Sequence, residues 1–201
     1  MMFDMGILPA TTIKIQEEFS LANNVFGLLG SFVYLGQTVG SLVATCFLQT
    51  KRIKLVLSMC IFLNMFFLVS FTFTDNTTIM MALRGLTGLF QVFMWIYFPV
   101  WADLFGNEAQ KSSWLSILIV SSPLGNILGY ILAASIQDSL GWRWCFYVQA
   151  MAMVPTFGCM IFVPSKYVDL HKTGKLIREF QKEQANQKEM RDAVMDQGKS
   201  E

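Results

Sequence analysis

Arg84 is the residue in this sequence with the most chemistry to explain. It opens Arg84-Gly-Leu-Thr-Gly-Leu-Phe-Gln91, and the apolar run continues to Trp101-Ala-Asp-Leu-Phe105. A guanidinium is charged at every physiological pH. Inside a bilayer-length segment that charge is expensive and marks a functional site by default. The other reading is that Arg84 lies within a turn or two of the helix end and snorkels to the headgroups. Position alone leaves both open. The amides Gln37, Asn64, Gln91 and Asn126 also fall in apolar runs. Each is read first as an interhelical hydrogen bond, worth on the order of 0.6–2 kcal/mol, and second as a substrate contact. Cys46, Cys60, Cys145 and Cys159 form no Cys-x-x-Cys pair, and the single histidine, His171, lies in a polar tail. A metal site needs clustered ligands, so no metal is expected and the thiols read as small buried hydrophobes. There is no Ser/His/Asp set and no pair of carboxylates at one depth. Neither an enzyme nor a cofactor is expected.

The elements that must position these residues are membrane spans. Of 201 residues, 54% are hydrophobic and 14% charged, against about 25% charged in an ordinary soluble domain. Residues 1–165 hold seven Lys/Arg and seven Asp/Glu; the last 36 hold the other eight and seven. The chain thus divides into a membrane body, 1–165, and a charged tail, 166–201. The net charge of +1 gives no ground for a nucleic-acid partner, and none is expected. Runs of about 20 apolar residues can cross a bilayer. Asn23 to Leu48, Leu55 to Phe73, Thr78 to Phe105, Ser113 to Ile136 and Trp144 to Val163 are five such runs. Met1 to Ala10 is apolar but shorter, and Lys14, Glu17 and Glu18 follow it. Pro164 stops the last span. Lys172 to Val194 reads as a solvated or surface-lying helix.

Lys51, Arg52 and Lys54 follow the first full span, Lys111 the third, and Lys166, Lys172, Lys175 and Arg178 the fifth. Basic loops face the cytoplasm, which places the tail there. The count is consistent only if the N-terminal piece crosses too, making six spans. A repeat agrees with this. Gly36, Gly40 and Ala44 are spaced by four, and Gly125, Gly129 and Ala133 repeat the pattern 89 residues later. Small residues at that spacing let helices pack closely. The expected fold is therefore an all-α, six-helix transmembrane bundle of two three-helix inverted repeats. Carried back by the same offset, the 78–105 span has its counterpart starting upstream of Met1. The first helix is expected to be truncated at its N-terminus.

Several motifs resemble the N-terminal six-helix half of a major facilitator superfamily transporter, over about residues 1–165. Arg84-Gly-Leu-Thr-Gly is similar to the fourth-helix motif. Ala102-Asp-Leu-Phe with Lys111 resembles the loop that follows it, Pro123-Leu-Gly-x-x-x-Gly the fifth helix, and Trp142-Arg-Trp-x-Phe-Tyr147 the entry to the sixth. The last two most resemble spinster-like members, a branch associated with lysolipid and sphingolipid export and often with proton coupling. Asp4 falls where that branch has an aspartate in helix one. The sequence departs from the pattern at Gln49, near the position of an acid in the loop after helix two. It departs again at Gln91, seven residues after the arginine, where spinster-like proteins often carry an acid.

The resemblance implies a secondary active transporter of an amphiphilic or anionic small molecule or lipid, embedded among membrane lipids. Substrate and proton candidates are Asp4, Arg84, Gln91 and Gln37. Gly36, Gly40, Pro123, Gly125, Gly129, Lys51, Arg52 and Lys111 are expected in helix packing and gating. The four glycines would form a face against a missing C-terminal six-helix half or a partner chain. Arg84 is expected to meet an anion or carboxylate. Asp4, at a compatible depth on the helix that the resemblance places beside it, is the carboxylate in reach. The alternative is a non-transporting membrane subunit or scaffold that retains half of the fold, which the losses at Gln49 and Gln91 favour.

Overall fold

The computed structural model describes residues 3–20, 23–47, 52–106 and 108–168. Among them the regular structure is all helical: α1 (Phe3–Phe19), α2 (Asn23–Phe47), α3 (Ile53–Phe73), α4 (Thr77–Phe105), α5 (Glu108–Ile136) and α6 (Trp142–Phe162), then a 3₁₀ turn, Ser165–Tyr167. Helices α2 to α6 are each long and apolar enough to cross a membrane. Lys51, Gln49 and the helix expected over 172–194 lie outside the described residues.

Helix ends follow local chemistry. Asn76 accepts from the Thr78 backbone N–H at 3.0 Å and so caps α4. Gly141, at φ +91°, makes the left-handed turn into α6. α6 ends at Phe162, two residues before Pro164 and one short of the expected end at Val163. α1 does not stop where its apolar run stops. It continues to Phe19, and its polar end pairs with its neighbours: Lys14 with Asp138, in the turn before α6, at 3.3 Å and Glu18 with Arg143, on the first turn of α6, at 2.8 Å. Lys14 and Glu18 extend the helix because each leaves the apolar zone and finds a partner.

α2 packs chiefly on α4, and α5 on α1; α3 lies against α4 and α6. Small residues set the two closest contacts. A Cβ on Gly36 would overlap the Gly85 carbonyl, and one on Gly40 would lie 2.6 Å from the Leu89 carbonyl. Across the repeat, a Cβ on Gly129 would overlap the Phe3 carbonyl. The α2–α4 and α5–α1 contacts are thus equivalents in the two three-helix units. This differs from the expected use of the stripes. Gly36, Gly40 and Gly129 are spent inside this bundle, against α4 and α1, rather than on a face free for a partner. Backbones this close leave no room for a third helix on the same stripe.

Candidate functional site

Arg84 sits on the second turn of α4 and is 1% exposed. Its Nη1 donates to Asp4 Oδ1 at 2.7 Å, and Asp4 is 2% exposed on the first turn of α1. The guanidinium also lies over two rings, 4.3 Å from the centroid of Phe71 on α3 and 4.8 Å from that of Phe146 on α6. Four helices therefore meet at one charge. Ring faces attract a desolvated cation, and the carboxylate balances it. The balance is incomplete: Arg84 Nε and Nη2 have no hydrogen-bond acceptor among the described residues. A guanidinium can serve two oxygens at once, so this one retains capacity for a second anion.

The floor beneath the pair is polar and largely closed. Asn64 on α3 donates through Nδ2 to the Thr87 carbonyl at 2.9 Å, both buried. Gln91 is buried on α4, about two turns from Arg84 along the same face. Gln37 is half-buried on α2. Asp4, and not Arg84, opens on a cavity of about 260 Å³ between α1 and α2, lined also by Thr12, Gly30 and Tyr34. The neighbouring Phe3 opens on a second cavity of about 730 Å³ between α4 and α5, lined by Met94, Phe98, Pro99, Ser122 and Gly125. The first turn of α1 thus borders both.

The remaining expected residues are scattered. Pro123 is exposed inside α5. Lys111 reaches back to Asp103 at 3.1 Å, beside Trp101, which stacks between Phe105 and Trp114. Arg52 is exposed at the N-cap of α3. Among the described residues no three His, Cys, Asp or Glu gather as metal ligands.

Sequence reasoning missed three features. Phe71 and Phe146 are two of 18 phenylalanines, and nothing in their spacing singles them out. Gln149, buried on α6 with an unpartnered Oε1, falls in a run read only as a span. At the opposite end from the basic loops, Arg143 joins Glu18, Asp75 at 3.3 Å and the Thr72 carbonyl at 3.0 Å, while Trp142 Nε1 donates to Glu18. The Trp142-Arg-Trp motif was the available signal.

The family model described as Major Facilitator Superfamily matches residues 1–191. Two curated relatives are spinster proteins. "Probable sphingolipid transporter spinster homolog 1" of Arabidopsis thaliana is 28% identical over 148 residues, 74% of this chain and 30% of that protein. "Protein spinster homolog 3" of Danio rerio is 24% identical over 152 residues, 72% of this chain and 30% of that protein. The chain therefore spans about 30% of the length of the curated relatives it matches.

Proposed function

The chain belongs to the major facilitator superfamily, and on that premise we propose that it forms the N-terminal half of a secondary transporter for an anionic amphiphile. A second six-helix half, in the same protein or a partner chain, would complete the substrate path between the two. Relatives more than three times its matched length support that reading. The bundle is an integral, multi-pass membrane protein. The end bearing Arg52, Lys54 and Lys111, with the tail from Lys166, would face the cytoplasm.

The observation that carries the proposal is the buried Arg84–Asp4 pair. A charge pair taken out of water gains little stability over apolar packing, so stability alone is a poor reason to keep one here. Two free donors on Arg84 and a cavity beside Asp4 suit a switch. Ionised Asp4 holds Arg84. Protonated Asp4 releases it, and the guanidinium then takes the anionic head of the substrate. Gln91 cannot titrate, so proton coupling through this half would rest on Asp4. Gln37 and Gln91 would contribute amide hydrogen bonds near the head group. The printed name of the Arabidopsis relative, a probable sphingolipid transporter, supports a lipid of that class as the substrate.

The test is reconstitution of the full-length protein in vesicles, with a labelled sphingoid-base phosphate or lysophospholipid, at two pH values. Wild type should move the lipid with a pH-dependent rate. Arg84→Lys and Arg84→Ala should both abolish movement at normal expression, because an ammonium lacks the fork that serves two oxygens. Arg84→Lys working at the wild-type rate with unchanged pH dependence would restore the snorkelling reading and end this one.

A further inference from the structure

At the basic end of the bundle, the first turn of α3 and the last turn of α6 enclose a pocket of about 490 Å³, lined by Arg52, Lys54, Leu55, Ser58, Ile161 and Ser165. Its charge is one-sided. Arg52 is exposed and makes no ion pair with a described residue. Lys54 Nζ donates one bond, to the Ile161 carbonyl at 2.8 Å, which leaves two ammonium protons for another acceptor. The first turn of α3 has no acidic residue and no side-chain cap. Two cations at a helix N-terminus add to a dipole that is already positive there. The arrangement is unfavourable until an anion joins it.

The geometry points to a binding site for the phosphate head group of an anionic phospholipid. Leu55, Met59, Phe62 and Phe66 descend from the pocket along one face of α3, spaced by four, three and four, each between 53% and 58% exposed. That is the spacing of a single helical stripe, and it offers an acyl chain a track continuous with the head-group pocket. On α6, Ile161 and Phe162 are exposed beside the pocket. A free phosphate would use only the polar part. The exposed apolar track therefore selects a lipid as the occupant. Basic pockets between transmembrane helices hold anionic lipid head groups in this way. The inference needs the bundle to lie in a membrane. It does not need the Arg84–Asp4 pair to work as proposed.

Native mass spectrometry of the intact protein in mild detergent tests this, with phosphatidylglycerol and phosphatidylcholine as probes. Wild type should retain phosphatidylglycerol in preference. Arg52→Gln should lower that retention by about fivefold, the loss of one near-surface cation. Ser58→Leu, which fills the pocket without changing charge, should lower it as well. Lys111→Gln, at the same end but already paired with Asp103, should not. Unchanged retention in both pocket variants would overturn the site. So would an equal loss in Lys111→Gln, which would make the attraction generic. Complete displacement of the lipid by inorganic phosphate would overturn the lipid as occupant.

Discussion

A guanidinium among membrane helices needs a countercharge, and Asp4 supplies it to one nitrogen of Arg84 only. Removing one member of a buried pair leaves the other unbalanced, at a cost of about 3–5 kcal/mol. Asp4→Asn should therefore destabilise the protein by about that much, while Asp4→Asn combined with Arg84→Gln should recover part of it. Thermal unfolding in detergent reads both. If the double variant is no more stable than Asp4→Asn alone, the two side chains are not coupled as the 2.7 Å contact implies. The same Asp4→Asn protein, reconstituted, should lose the pH dependence of transport. Arg84 was legible in the sequence because it is the one arginine inside an apolar run. Asp4 was legible only through the resemblance, because a single acid in a short run has no internal signal. Phe71 and Phe146 were illegible, because their role is to lie beside a charge brought in from other helices.

At the level of elements, the spans were legible because apolar length is a one-dimensional property. The expected Leu55–Phe73 and Thr78–Phe105 spans differ from α3 and α4 by one or two residues at their starts. The glycine stripes were legible as close-packing faces, but their partners were not, since spacing says where a helix is flat and not what lies against it. Gly40→Leu should therefore cost about 3 kcal/mol or more, the upper end of overpacking penalties, because the Leu89 backbone stands in the way with Val92 Cγ1 beside it. Gly129→Leu should behave alike across the repeat. Gly158 on α6 has nothing within 4 Å of an added Cβ, so Gly158→Ala should instead stabilise by about 0.5–1 kcal/mol. Melting temperatures in one detergent compare all three. Equal effects at Gly40 and Gly158 would refute the packing argument. The cluster around Arg143 gives the matching result for ion pairs. Arg143→Gln unties α1, the α3–α4 turn and α6 at once, and being partly exposed it should cost only about 1 kcal/mol.

Over the whole molecule, α2 and α5 are the least buried of the five full spans. Leu35 and Leu42 on α2, and Ile127, Leu128 and Ile131 on α5, are all exposed. A second half covering those helices, with lipid along α3 and α6, is the arrangement we propose. It requires one orientation. Arg52, Lys54 and Lys111 gather at one end of the bundle, and Lys14 and Arg143 at the other, where Asp75, Asp138, Glu17 and Glu18 offset them. Lys/Arg excess, not net charge, sets the cytoplasmic side, and on that rule we propose the first end for it. Single cysteines read this directly. With Cys46, Cys60, Cys145 and Cys159 replaced, Ser112→Cys at the exposed start of α5 should resist an impermeant thiol reagent in intact cells and react after permeabilisation. Asp138→Cys, exposed in the turn before α6, should react without it. Labelling of Ser112→Cys from outside, with Asp138→Cys protected, would invert the bundle, move the phospholipid pocket to the outer leaflet, and turn the Asp4–Arg84 pair toward the opposite side of the membrane.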